Sequence, residues 1–262
     1  MLHLTTCDPR SCLRGEENMC HAGYTGLIVG ARAVGGFADY VRVPADFAYA
    51  IPDALSSAAA APLLCAGVTV YAPLARWVRP AARVAVVGVG GLGHLALQFA
   101  DALGGIVTAV DIDGSKKAEA LTLRAVDFLH LPEFLDVHAR YDVILNTAAA
   151  AVDAAGMLRA LAPGGTLVQV GLPAGDPVLA APINDLVFGQ KRVVGSVVGG
   201  RADMHDMLQL AAAKKVVPRV ELAPLRDVNA QMAHVAAGKA RYRVVLLCDE
   251  EWAAHEARSA QR

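Results

Sequence analysis

RVAVVGVGGLGHLALQFADALGGIVTAVD, Arg83 to Asp111, decides the fold. The apolar run at 83–87 predicts a buried strand. Glycines at 88, 90 and 93 then make a G-x-G-x-x-G turn. Gly88 lets the chain leave the strand sharply, Gly90 removes a Cβ from where the backbone would meet a pyrophosphate, and Gly93 lets the next helix approach the sheet. Leu92, Leu95, Ala96, Phe99 and Leu103 recur at spacings of three and four, which predicts a helix with one apolar face starting near Gly91. Its first N–H groups and positive dipole end would face phosphates. A second apolar run closes on Asp111. A glycine triplet alone means little in a chain with 24 glycines. Set between a strand and a helix, and followed by a carboxylate at the end of the next strand, it predicts a dinucleotide site at Gly88, Gly90, Gly91, Leu92 and Gly93.

Outward from that stretch, apolar strands are expected at 83–87, 106–111, 126–130, 142–146, 165–171 and 192–198, joined by helices. Six such strands imply a doubly wound parallel sheet covered on both faces, an α/β fold. Ligands sit at the carboxyl ends of strands in such sheets, so Asn146-Thr147-Ala148 and Val170-Gly171-Leu172 should border the cofactor. Either turn also reads as an ordinary strand end. Before the sheet, Gly35–Asp53 alternates and turns as a small β domain would, and 55–78 reads as a helix in two pieces interrupted at Pro62 and Pro73. After it come helices at 202–214 and 227–237, a closing strand at 242–247, and a polar frayed helix or tail at 249–262. The expected domains are 1–62, 63–205 and 206–262.

Composition narrows the class. Of 262 residues, 55% are hydrophobic and 19% charged, as in a well-buried globular protein. A net charge of -1, from 24 basic and 25 acidic residues, gives no purchase on nucleic acid or an anionic membrane. The amino end lacks a signal-peptide core. The uncharged run Ala58–Ala75 approaches membrane-span length, but its alanines, Pro62, Gly67 and Pro73 read as protein interior. Five cysteines, an odd number, suggest reduced thiols or metal ligands in the cytoplasm.

Asp111 can accept hydrogen bonds from both hydroxyls of an adenosine ribose and repels a 2'-phosphate, which favours NAD over NADP. Lys116 and Lys117 argue the other way if they meet a 2'-phosphate, and otherwise form a solvated helical turn. Cys7, Cys12 and Cys20 suit a thiolate metal site one ligand short of the four that tetrahedral zinc wants. His3 or His21 would be the fourth, and thiols on a loop are the plain alternative. Cys65, among alanines, reads as a small buried residue.

The segments CLRGEENMC, GGFADYVRVPADFAYAIPD, AAPLLCAGVTVY, VAVVGVGGLGHLALQFADALG, LAPGGTLVQVGLP, VVGSVVGGRADMHDML and GKARYRVVL resemble the zinc-type medium-chain alcohol dehydrogenases, most closely their cinnamyl-alcohol-dehydrogenase-like branch. The resemblance implies a Rossmann domain joined to a GroES-like β domain, present here in part. It implies hydride transfer between NAD and a primary alcohol or aldehyde, with zinc as Lewis acid. Cys65 matches a catalytic zinc ligand and Thr69 a residue beside the nicotinamide. Ser196, Val197 and Val198 match the backbone that holds the carboxamide, and Arg241 or Arg243 a basic residue near the cofactor. A homodimer through the edge strand at 193–198 is also implied.

Both zinc sets are incomplete in this sequence. The family's first catalytic cysteine and its Gly-His-Glu histidine have no counterpart, leaving Cys65. Pro9 stands where a structural-zinc cysteine belongs, leaving Cys7, Cys12 and Cys20. Activity is therefore in doubt on this reading. Two rivals stay open: an inactive dinucleotide-binding remnant with an interaction or regulatory role, and a reductase that works without zinc.

Overall fold

The computed structural model describes residues 9–20, 35–175 and 177–259. Cys7, His3 and His21 lie outside them. The chain divides into two compact units, one formed by residues 66–198 with 213–216, the other by residues up to Cys65 with 199–212 and 217–262.

The first unit holds six strands, β1 Arg83–Val87, β2 Ile106–Asp111, β3 Asp127–His130, β4 Tyr141–Asn146, β5 Leu161–Gln169 and β6 Arg192–Gly195. They form one sheet in the order β3-β2-β1-β4-β5-β6, with every pairing parallel. This is the order of a dinucleotide-binding sheet, and its switch point lies between β1 and β4. β1 and β2 occupy the expected residues. β5 begins earlier than expected because Leu161 pairs with Tyr141 across an irregularity that absorbs Gly164 and Gly165. β5 and β6 both end short of expectation, at the paired residues Gln169 and Gly195, where the ladder between them stops.

The helix Gly93–Ala102 carries more than the one apolar face its spacing predicts. From Gly93 to Ala100 every residue is buried, His94 and Gln98 included. One side packs on β1 and β2 and another on the helix Val68–Trp77, where Tyr71 and Phe99 meet edge to face at 5.6 Å. The interior polar groups are answered locally, for Gln98 Nε2 donates to the His94 carbonyl. Ser57–Trp77 is long and apolar enough to cross a membrane, with a mean hydropathy of 1.6 over its best window, and 67% of that window is buried in the protein. That supports the interior reading of this run.

In the second unit β7 Val220–Pro224 and β8 Arg243–Leu247 pair in parallel. The helices Ser57–Pro62 and Asp249–Ser259 pack on this pair, and Val228–Ala236 packs on β8. Gly35–Asp53 departs from expectation. Among the described residues it contains no strand, only a 3-10 turn at Ala45–Phe47. An alternating pattern becomes a strand only when a neighbouring backbone takes its N–H and C=O groups, and no described strand pairs with this one.

The loop between Cys12 and Cys20 is fixed by a buried carboxylate. Glu17 accepts from the Arg201 Nε at 2.6 Å and from the Arg201 backbone N–H at 3.1 Å. Burial alone would raise this carboxyl's pKa; the Arg201 bonds outweigh it and hold the group below its ordinary range. Arg201 also lies over the Phe47 ring. Gly200 has no room for a side chain, since a Cβ there would sit 1.7 Å from the Gly15 carbonyl oxygen.

Candidate dinucleotide site

The site grows from the glycine turn at the carboxyl end of β1. Gly88 adopts a φ of 89°, open to glycine at little cost. Its N–H donates to Val110 O at 2.8 Å, and its own carbonyl accepts the Thr147 hydroxyl at 2.8 Å. A Cβ on Gly93 would fall 1.8 Å from that Gly88 oxygen, so the helix start cannot carry any side chain and still close the turn. Sequence reasoning assigned Gly93 to helix–sheet packing; the tighter constraint is this carbonyl. A Cβ on Gly90 would meet nothing within 4 Å. That open side is what a close-approaching ligand requires.

Behind the turn, the His94 N–H and its ring Nδ1 both lie near Gly90 O, at 3.1 and 3.0 Å. A carbonyl only accepts, so the geometry calls for Nδ1–H in this ring. Fully buried, His94 braces the turn from inside and does not face a ligand.

Asp111 ends β2 with 5% of its surface exposed. Its Oδ2 accepts from the Val89 N–H at 2.7 Å and from Lys116 Nζ at 3.0 Å, and its Oδ1 accepts from the Asp113 N–H at 2.9 Å. One carboxylate therefore ties the glycine turn to the end of β2. Two carboxylate oxygens offer about four acceptor positions, so three bonds leave capacity for a further donor. Lys116, only 21% exposed in its side chain, is an ion-pair partner and not the solvated residue of the plain sequence reading.

The turns after β4 and β5 are locked together. Asn146 Nδ2 donates to Gln169 Oε1 at 2.9 Å, Gln169 Nε2 donates to Gly171 O, and the N–H groups of Val170 and Gly171 both donate to Asn146 O. A Cβ on Gly171 would lie 2.1 Å from Ala148 O, so glycine is required here as well. A cavity of about 370 Å3 lined by Asn146, Asp153, Gln169 and Gly171 opens beside this network. Gln169 is an organising residue that the sequence reading did not single out, and only its place at a strand end signals it; Thr147 lies in a turn expected to border the cofactor, and its hydroxyl bond to Gly88 O is the role the structure adds. Ser196 continues the pattern, its N–H donating to Gln169 O at 3.0 Å, and Val197 stands exposed just beyond.

Thr69 lies half-buried on the helix Val68–Trp77, and Cys65 is exposed on the π-helical segment Leu63–Gly67. Short π segments interrupt helices where a side chain must be re-aimed, often at functional sites. Cys65 and Arg243 share a neighbourhood: burial pulls the Arg243 pKa down, and the charge of Cys65 opposes that. Cys12, Cys20, Cys65 and Cys248 are in no disulfide. Among the described residues no three His, Cys, Asp or Glu side chains converge on one point, so these donors alone do not build a zinc site.

Known proteins agree with this geometry. Residues 91–213 match the zinc-binding dehydrogenase family. Over 252 residues the chain is 40% identical to an alcohol dehydrogenase of Geobacillus stearothermophilus, covering 92% of this chain and 71% of that protein. The cinnamyl alcohol dehydrogenase SbCAD4 of Sorghum bicolor superposes with a TM-score of 0.83 at 36% identity, over 93% of this chain and 71% of that one. A cinnamyl alcohol dehydrogenase of Helicobacter pylori, solved with NADP(H), gives a TM-score of 0.82 at 26% identity, over 93% and 72%. With the sheet order, the glycine turn and these matches in hand, the chain belongs to the zinc-type alcohol dehydrogenase family of oxidoreductases.

Proposed function

We propose that this chain binds NAD through its glycine turn and takes part in hydride transfer between NAD and a small alcohol or aldehyde. The observation that carries the choice of nucleotide is the Asp111 carboxylate, fixed by Val89 N–H at the end of β2. A 2'-phosphate brought to that position would meet a buried negative charge, whereas ribose hydroxyls would donate to it. Lys116, already drawn onto Asp111, is in place to donate a further N–H to a ribose hydroxyl oxygen held there.

The residues present fit a dinucleotide. Backbone N–H groups at Gly91, Leu92 and Gly93 take the pyrophosphate where Gly90 leaves open space. Asn146, Val170 and Gly171 border the bound cofactor, and Ser196 and Val197 present backbone to the carboxamide. The nicotinamide supplies the hydride acceptor. Thr69 orients the reacting end, Cys65 would be one ligand of a catalytic zinc set that the described residues do not complete, and Arg243 is a basic contact for the cofactor. These last assignments rest on the family resemblance. A homodimer and a cytoplasmic setting belong to the same reading.

NADH and NADPH fluorescence titrations of the full chain and of Asp111→Ser test it. The wild type should prefer NADH, and the variant should shift the ratio of dissociation constants toward NADPH by about tenfold or more, roughly 1.4 kcal/mol. The variant should also lose about 1–3 kcal/mol of stability, since the Val89 N–H is left without its acceptor. An unchanged ratio would refute the ribose assignment.

A further inference from the structure

The first unit has a second cavity at the amino ends of its strands, opposite the glycine turn. It is an open depression of about 580 Å3, lined by Arg76, Trp77, Arg79, Asp142, Thr166 and Arg192 together with the turn at 80–82. β1 runs from this end to Gly88, a distance of about 16 Å at 3.3 Å per residue. The two sites are therefore separate.

Its charge is one-sided. The carboxylate of Asp142 is already engaged by Arg83, with the Arg83 backbone N–H and Nε donating to Oδ2 at 2.8 and 3.1 Å and an Nη donating to Oδ1 at 3.0 Å. That pair is neutral as a whole. Arg79 and Arg192 line the same cavity beside Arg76, in a chain whose net charge is -1. Arg76 has an ordinary reason to be there, because it lies in the last turn of the helix Val68–Trp77 and complements the dipole. Arg79 and Arg192 lie outside that helix. Arg192 is held in place, donating from one Nη to Gly164 O at 2.7 Å with its guanidinium 5.9 Å from the Trp77 ring centre. A guanidinium anchored along one edge keeps its other N–H donors in a fixed fork, the geometry that recognises phosphate oxygens in pairs. The volume is that of a small-molecule site and exceeds what a bare anion needs, and Trp77 and Pro80 supply apolar wall.

We propose that this cavity binds a phosphorylated small molecule, with its phosphate held by Arg79 and Arg192 and its body resting against Trp77 and Pro80. The site does not depend on the dinucleotide reading.

Amide chemical-shift mapping of the full chain during titration with ribose 5-phosphate tests the proposal, with citrate as a polycarboxylate control. Shifts should appear at Ala81, Ala82, Gly164 and Thr166 and be absent from the glycine turn, and citrate should bind more weakly. Arg79→Glu, at an exposed position, should weaken binding by about tenfold or more through the reversed charge. Arg192→Lys keeps the charge but loses the fork and should weaken it by roughly threefold. Gly90→Asp, which puts a carboxylate at the glycine turn, should leave ribose 5-phosphate binding unchanged. Shifts confined to residues 88–93, loss of binding in Gly90→Asp, equal affinity for citrate, or unchanged affinity in Arg79→Glu would each overturn it.

Discussion

Between Arg83 and Asp111 most apolar side chains are buried, whereas between Gly35 and Asp53 Phe37, Tyr40 and Val41 stand 63%, 93% and 61% exposed. Both stretches carry apolar residues in a regular pattern. They differ in where the partners of the pattern lie. A strand, turn, helix and strand in one continuous segment bring their own packing surface, and β1 finds hydrogen-bonding neighbours on both sides in β2 and β4. Gly35–Asp53 has alternation without a described neighbour, and alternation alone satisfies no backbone group. What fixes structure near that second stretch is polar: the Glu17 carboxylate on Arg201, with Arg201 over Phe47.

The largest effect should come from breaking the self-sufficient segment at its tightest point. Gly93→Ala places a Cβ where the Gly88 oxygen already is. Relief requires moving either the strand end or the helix, so the loss should reach or exceed the upper end of about 1–3 kcal/mol typical of overpacking. NADH binding should be lost with it. Gly90→Ala, with open space around the new methyl, should leave urea denaturation unchanged and weaken NADH binding alone. If the two variants behave alike, the turn is not held as described.

Glu17→Gln addresses the polar lock. Removing the charge weakens two hydrogen bonds to Arg201, and a loss of about 1–3 kcal/mol is expected for bonds to a charged group. The pH dependence gives the sign. Glu17 is held below its ordinary carboxyl value in the folded chain, so its contribution is fully present above the unfolded value and is lost as pH falls through the lower folded one. The wild type and Glu17→Gln should therefore differ in urea midpoint at pH 7 and converge on acidification below about 4.5. A constant gap down to the acid transition would show that the amide's shape, not the charge, causes the loss.

The same contrast explains what could be read from residues in order. β1 and β2 were legible to the residue because local runs, glycine punctuation and Asp111 all agree. β7 was not, since Val-Glu-Leu-Ala-Pro alternates over only its first three residues before Ala and Pro, and its strand state comes from parallel pairing with β8, some twenty residues on. Lys116 was misjudged as solvated because its partner is reached across the 3-10 turn Gly114–Lys116, a spacing that helix rules do not cover. Asn146 was placed at the site by topology, but its bond to Gln169 links two strands and has no local signal. Glycine positions were predicted well and their reasons less well, as Gly93 shows.

The smallest effect is the most direct test of the second region. Tyr40 is 93% exposed, and a surface side chain away from any network changes stability by no more than about 0.5 kcal/mol. Tyr40→Ser should leave the urea midpoint and slope unchanged. The slope matters as much as the midpoint, because it scales with the surface exposed on unfolding. A Tyr40 that packs in solution would add buried area to the folded state, and its removal would lower both the midpoint and the slope. Such a result would mean that Tyr40 is buried against a partner surface in solution and that the alternation in GGFADYVRVPADFAYAIPD has structural consequence beyond the 3-10 turn at Ala45–Phe47.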